Sequence, residues 1–226
     1  MPAKTLLLFL ATTALCLADP AHADERGWYV AFGASITSLE DTSGTIANAP
    51  MPGSTVRTEN PFENGYAIDL AAGRRLGDFR VEVEIGYAED TQDSYTALVP
   101  PTGEINADVT QTTLKGMING YYDFTFRGAR PYVGAGVGAA MIDLEFIAPR
   151  APFPNEAPLR LIDDGDTRFA YQLMAGVSFP VSERVSLGIG YRWFDAGTLE
   201  VQDLRNEAVT RDHKGHALGA RVSFQF

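Results

Sequence analysis

The sequence predicts an all-β fold, an eight-stranded antiparallel up-and-down transmembrane β-barrel. Three observations predict it. Period-two alternation of apolar with polar or small residues recurs in eight long segments; tight turns and long loops take turns connecting them; and no apolar run beyond residue 23 is long enough to cross a membrane as a helix. The longest nearly uninterrupted apolar run, Tyr132 to Ile142, is Gly-rich and far short of the roughly 20 residues a helical span requires.

Each strand follows from its own alternation. In the first, Trp28, Val30, Phe32, Ala34 and Ile36 share one face and Tyr29, Ala31, Gly33, Ser35 and Thr37 the other. Tyr66, Ile68, Leu70 and Ala72 then oppose Ala67, Asp69, Ala71 and Gly73. The clearest case is Phe79, Val81, Val83, Ile85 and Tyr87 against Arg80, Glu82, Glu84 and Gly86. Leu114, Ile118, Tyr122 and Phe124 share a face with Gly116 and Gly120, and Lys115, Asn119, Tyr121 and Asp123 take the opposite one. From Pro131 to Ile147 the apolar set begins as Val133, Ala135, Val137 and Ala139 and ends as Ile142, Leu144 and Phe146, so its phase flips near Ala140. Such a flip predicts either a β-bulge there or the end of the membrane-embedded part. The last three strands carry Phe169 to Phe179, Val185 to Trp193 and Leu218 to Phe226 at alternate positions.

The tight connections are Gly77-Asp78, residues 127–130 and residues 180–183. Residues 40–63, 89–108, 148–166 and 195–213 read as long loops, the first three holding nine of the 13 prolines. Short turns at one end and long loops at the other are the pattern of an outer-membrane barrel. Most strands approach the roughly 9–11 residues of a tilted span, and in hydrocarbon a sheet satisfies all its backbone groups only by closing on itself. A soluble barrel around a ligand would turn its apolar face inward; here the non-apolar face is largely Gly, Ala and Ser with scattered charges, which suits a narrow lumen. Trp28, Phe79, Phe124, Phe126, Tyr132, Phe179 and Phe224 cluster toward the turns, and Tyr87, Phe169, Tyr171, Tyr191 and Trp193 toward the loops, as two aromatic belts.

The chain opens with a positive Lys4 and an uncharged apolar stretch ending at Ala18, followed by Ala21-His22-Ala23. Small residues at alternating positions after such a stretch predict a signal peptide over residues 1–23, leaving 24–226 as the barrel domain. The stretch is too short for a membrane anchor. Thr13-Ala14-Leu15-Cys16 loosely resembles a lipoprotein signal, but Leu15 stands where that motif wants a small residue. Cleavage after Ala23 removes the only cysteine, so the mature chain is expected to lack thiol and disulfide chemistry. A net charge of −11 argues against nucleic acid as a partner, because its phosphates would repel the chain.

Leu114 to Phe124 (LKGMINGYYDF), Pro131 to Gly138 (PYVGAGVG), Phe169 to Arg192 (FAYQLMAGVSFPVSERVSLGIGYR) and the closing strand ending in Phe226 resemble the opacity-like and OmpA-type outer-membrane β-barrel family. The resemblance spans most of the mature chain. It implies a bacterial outer-membrane location with both termini periplasmic, and a C-terminal Phe226 read as an assembly signal by the barrel-assembly machinery. Larger OmpA-type proteins continue into a peptidoglycan-binding domain; this sequence stops at Phe226, so anchoring the cell wall is not expected of it.

Alternation places Asp69, Glu82, Glu84 and Asp123 inside the barrel with Lys115, Arg168, Arg192 and Arg221. Unpaired charge is costly where water is scarce, so cross-lumen ion pairs are expected. Counting from the turns puts Glu82, Glu84, Asp123 and Arg221 in one low layer and Asp69 with Arg192 in a higher one. Some small barrels modify lipids, but His213-Lys214-Gly215-His216 lacks the serine that lipid A deacylases place two residues from a histidine, and these histidines read as exposed ones at a loop base. No catalytic residue, cofactor or metal site is expected, although Asp163, Asp164 and Asp166 around Gly165 offer hard oxygen atoms of the kind calcium prefers. The four loops carry 18 acids against five bases, an acidic crown set near lipopolysaccharide phosphates that divalent cations could bridge.

Three functions fit this reading: a structural and interaction platform, adhesin-like or antigenic, that meets external ligands through its loops; a narrow porin-like channel; and a lipid-modifying enzyme. An eight-stranded barrel is just wide enough for side chains to fill, which favours the platform over the channel. N-terminal sequencing of the protein from an outer-membrane fraction is expected to start at Asp24; a lipid-modified start at Cys16 would overturn the processing assignment.

Overall fold

The computed structural model describes residues 27–40, 42–47, 55–60, 65–97, 103–126, 128–148, 159–202 and 208–226. The region of the expected signal peptide, residues 1–23, lies outside them. Ten strands run through these residues: β1 (Trp28–Leu39), β2 (Thr42–Ala47), β3 (Thr55–Asn60), β4 (Gly65–Leu76), β5 (Phe79–Ala97), β6 (Gly103–Asp123), β7 (Arg130–Ala148), β8 (Leu159–Pro180), β9 (Val185–Gln202) and β10 (Ala208–Gln225). Eight of them form the barrel in the order β1-β4-β5-β6-β7-β8-β9-β10, and β1 pairs back onto β10 to close it. Every pairing is antiparallel.

Closure leaves two faces with opposite chemistry. Phe32, Leu70, Val83, Ile118, Val137, Leu173 and Ile189 all point outward and stay exposed, while Ala71, Glu82, Glu84, Met117, Asn119 and Gln172 are buried inside. An apolar outside around a polar inside is stable only where the surroundings are hydrocarbon. Phe79 and Tyr122 stack edge-on near the short turns, and Tyr171 with Trp193 near the opposite end. Tyr132 is a correction to the belt expected from sequence. It turns into the lumen against Tyr121, where its hydroxyl occupies the space that a Cβ on Gly176 or Gly190 would fill. Its phase in β7 was legible, but proximity to a turn suggested a belt residue. At the turn end, Gly77 and Gly128 adopt φ of 68° and 72°, values that favour glycine.

At Ala140 there is no bulge. The β6–β7 register runs unbroken from Asp123↔Tyr132 to Asp108↔Ile147. Instead, Ile142 and Leu144 point inward and are buried, whereas Asp143 points outward. The flip marks the level at which the wall exchanges an apolar outside for a charged one. The bulges lie elsewhere, among them one between Asp212 and Lys214 opposite Gly197, whose φ is 72°.

The long loops are also shorter than expected, because the barrel strands continue beyond the apolar band. Much of 89–108, 148–166 and 195–213 is strand, and the segment read as a loop over 40–63 contains the β2–β3 hairpin. β1 ends at Leu39, and β2 takes over its place beside β10, pairing Gly44 to Ile46 with Arg211 to Val209. β4 reaches only the Tyr66↔Glu89 rung of β5, and β8–β9 pairing stops at Tyr171↔Asp195. Beyond those rungs the wall splits into two four-stranded sheets, β5-β6-β7-β8 and β9-β10-β2-β3, with no rung between them among the described residues. Met117, Ala140, Ile142 and Ala170 from one sheet meet Ala196 and Leu199 from the other, with Phe194 packed against them. The interior of this crown mixes that apolar cluster with buried polar side chains, Asp90, Gln111 and His213 among them.

The outward set on β5 generates a depth-dependent expectation. Val83→Arg, near the middle of the apolar band, is expected to cost about 2–4 kcal/mol and to block insertion, while arginine at Phe79 or Tyr87 costs less. Folding into lipid vesicles under denaturant titration measures this; an arginine tolerated at position 83 would contradict the outward assignment.

Candidate functional site

Alternation along β4, β5, β6, β9 and β10 delivers charged side chains into a lumen too narrow for bulk water, and they meet in three tiers. Nearest the short turns, Asp123 receives Arg75 at 2.7 Å and Arg80 at 2.8 Å. The Arg80 guanidinium also lies 4.4 Å from the centre of the Tyr121 ring and 5.2 Å from that of Tyr132, a cation–π arrangement strengthened by desolvation. One tier up, Arg221 grips Glu82 through two nitrogens at 2.9 and 3.1 Å. Glu82, only 1% exposed, accepts further hydrogen bonds from the Tyr29 and Tyr121 hydroxyls, both at 2.8 Å, and from Asn119 at 3.2 Å. In the highest tier Arg192 bridges Asp69 and Glu84, at 3.0 Å each, and Lys115 Nζ approaches Glu84 at 3.4 Å. Gln172 accepts from Lys115 and donates to Asn119, which in turn donates to Glu84, linking this tier to the one below.

The sequence-predicted residues are thus brought together with three differences. Glu84 sits with Asp69 and Arg192 rather than with Arg221, and Asp123 is held by Arg75 and Arg80, which the sequence reading did not single out. Both arginines have inward phase, so alternation could have found them; their position beside the Gly77-Asp78 turn hid them. Arg168 shares the inward face of β8 but lies outside the three tiers. It bonds Asp166 at 2.6 Å and reaches Glu200 at 3.6 Å.

Two small cavities of about 50 Å³ each interrupt the packing. Asp69, Tyr132, Arg192 and Arg221 line one; Asp69 Oδ2 and Arg221 Nε are buried polar atoms with no hydrogen-bond partner among the described residues. Thr37, Asp90, Thr113, Lys115 and His213 line the other, nearer the crown. Each has space for a few waters at most.

His213 is a second correction. It is buried rather than exposed, bonded to Gln111 at 2.5 Å and set edge-on to Phe194. It occupies the β10 side of the bulge, which redirects it inward. His216 faces outward, lies over the Tyr191 ring, hydrogen-bonds its hydroxyl and approaches Glu40 at 3.2 Å; Trp193 Nε1 donates to the same carboxylate. Among the described residues no three His, Cys, Asp or Glu side chains are placed to hold a metal ion. Asp164 accepts the Gly165 N–H, Asp166 is engaged by Arg168, and the Asp163 side chain lies outside the described residues. Phe226 is exposed on the outer face, and its N–H bonds the Trp28 carbonyl where the barrel closes.

The family described as outer membrane protein β-barrel domain matches residues 7–226. The chain belongs to that family. It is an outer-membrane β-barrel protein of bacteria, and the apolar band is the part of its wall that lipid surrounds. A Rickettsia conorii protein named "Putative adhesin" is 25% identical over 247 residues, covering 98% of each chain. The crystal structure of Neisserial surface protein A has a TM-score of 0.52 at 19% identity, covering 88% of this chain and 97% of that one. OprG from Pseudomonas aeruginosa has a TM-score of 0.56 at 14% identity, covering 88% and 96%. At these identities the two structures share the fold with this outer-membrane barrel.

Removing one member of a buried pair strands its partner. Arg221→Ala is therefore expected to destabilise the barrel by about 3–5 kcal/mol, seen as a lower temperature for the heat-induced mobility shift in electrophoresis. Glu82→Ala/Arg221→Ala is expected to recover part of that loss. Wild-type behaviour of the single variant would mean that the tiers do not form a sealed network.

Proposed function

We propose that the protein is a non-enzymatic, adhesin-like surface platform, in which a plugged barrel holds a rigid two-sheet crown outside the cell for contact with an external ligand. The crown carries this reading: six barrel strands extend past the apolar band and bury side chains between them, Ile142, Leu144 and Leu199 with Gln111 and His213. Loops that served only to connect strands would not need such packing. The name of the Rickettsia conorii relative points the same way. Three tiers of paired side chains across the lumen favour a platform over a porin-like channel, and both histidines of the last strand are engaged in local contacts rather than aimed at a serine.

The same reading makes residues 1–23 an export signal and Phe226 a recognition element for the barrel-assembly machinery. The acidic crown would stand among lipopolysaccharide phosphates, bridged by divalent cations. Adhesion tests the platform. A non-adherent bacterium displaying the protein is expected to bind epithelial cells on the order of tenfold or more above its parent, because many weak contacts multiply. Replacing Gln92–Val109 with a two-residue turn, which trims the crown but leaves the Thr91↔Thr110 rung, is expected to abolish the gain. Equal adhesion by both forms, or steady single-channel conductance in a planar bilayer, would overturn the reading.

A further inference from the structure

At the upper edge of the apolar band, one sector of the outer wall gathers rings and bases that the rest of the rim lacks. Two adjoining rungs carry it. The higher runs from Glu40, at the end of β1, through Lys214 and Asp195 to Tyr171 on β8. The lower runs through Ser38, His216, Trp193 and Leu173. Tyr191, the next outward residue below Trp193 on β9, stacks on His216, and Tyr171 stands edge-on to Trp193. At the same height β6 and β7 turn Leu114, Gly116, Ala139 and Met141 outward, with no ring among them. β4 and β5 present Tyr66 and Tyr87 beside Glu89, with no base. An aromatic belt that only anchored the barrel would have no need to concentrate its rings beside cations.

Polar atoms of this sector keep capacity for a ligand. Trp193 Nε1 and His216 Nε2 both meet Glu40 at Oε1, at 2.9 and 3.2 Å, which leaves Oε2 without a partner among the described residues. Asp195 accepts the Gly197 N–H on Oδ1 and the Tyr171 hydroxyl on Oδ2, each at 2.7 Å. With those donors in place, Lys214 Nζ stands 3.9 Å from Asp195, outside hydrogen-bond reach, and is 37% exposed. A surface pair of that length holds a lysine weakly, so its ammonium can turn to another anion.

We propose that this sector binds the phosphorylated sugar headgroup of an outer-leaflet lipid, the glucosamine disaccharide of lipopolysaccharide. Depth selects the partner: the cluster stands directly above the lipid-facing Leu173, Ile189 and Leu218, where a headgroup lies over its acyl chains. Lys214 meets a phosphate. The faces of Tyr191 and Trp193, negative at the centre of each ring, receive the C–H faces of the sugars, and Glu40 Oε2 accepts from a sugar hydroxyl. Four strands about 4.8 Å apart make a shelf about 14 Å wide, room for two sugar rings. Elsewhere on the rim the outward Glu89 and Asp143 would reach lipid phosphates only through divalent cations, so direct contact belongs to this sector.

The proposal rests on the crown end facing outward, as the platform reading has it, and its test is independent of adhesion. The two tryptophans lie at opposite ends of the wall, so each can report alone. Trp28→Phe protein, in which Trp193 is the reporter, is placed in nanodiscs of brominated phosphatidylcholine, which quenches it. Unbrominated bisphosphorylated lipid A is expected to relieve the quenching at about a tenfold lower mole fraction than phosphatidylglycerol does. Lys214→Gln is expected to raise the lipid A midpoint about fivefold, and Tyr191→Leu to bring it to that of phosphatidylglycerol. Trp193→Phe protein, reporting from Trp28, is expected to show no preference between the two lipids. Equal midpoints for the two lipids at Trp193 would overturn the site, as would the same preference at Trp28 or an unmoved midpoint in either variant. Adhesion by displayed protein is read separately: its loss with the lipid preference intact removes the platform and keeps the headgroup site, and the reverse result keeps the platform alone.

Discussion

Backbone hydrogen bonding in hydrocarbon is the constraint on which the rest of this structure depends. A strand that crosses lipid must find a partner for every N–H and C=O, and β1 pairing with β10 is what completes the set. Closure with eight strands then fixes a narrow interior. Side chains must fill that interior, and because the outer face is given over to lipid, the polar residues of every strand have nowhere else to go. The three tiers of ion pairs follow. Glu82, Glu84 and Asp123 are almost fully buried, yet each has a guanidinium or ammonium group and further donors from tyrosine or asparagine where needed. Their arrangement neutralises charge that the fold itself brings together.

The constraint relaxes where the wall leaves the membrane. Water can satisfy open edges, so β8 and β9 are free to separate beyond Tyr171 and Asp195. Polarity must reverse at the same level, since a wall facing water on the outside gains by burying apolar residues within. The continuous β7 ladder carries both regimes, from outward Val137 to inward Ile142, without a break in register. One strand serves as a lipid-facing stave below and as part of a sandwich above. For the proposed platform this continuity matters: the crown inherits its position from the barrel rather than from flexible connections.

Much of this was legible in the sequence. Alternation assigned the outward faces of the eight barrel strands, and the small residues opposite announced a crowded lumen. It also put Asp69, Glu82, Glu84 and Arg192 inside. Partner choice was less legible, because strand tilt and stagger shift each side chain vertically by amounts that residue counting does not give. Arg221 therefore meets Glu82 while Glu84 meets Arg192. The β2–β3 hairpin was hidden for a different reason. Its residues, Thr42–Ala47 and Thr55–Asn60, show weak alternation, and they become strand by joining an edge of β10 that the end of β1 leaves open.

The sequence by itself determined the number of barrel strands, the face each of them turns to lipid, and the chemical kind of the lumen, because a period of two is a local property readable within a few residues. Only the tertiary structure decided which acid meets which base, where the wall splits and which edges stay unpaired. Those features depend on contacts between residues as far apart as Arg221 and Glu82, 139 positions away in the chain, and on where the β8–β9 ladder ends, at Tyr171↔Asp195, just before the β9–β10 register shift beside Gly197.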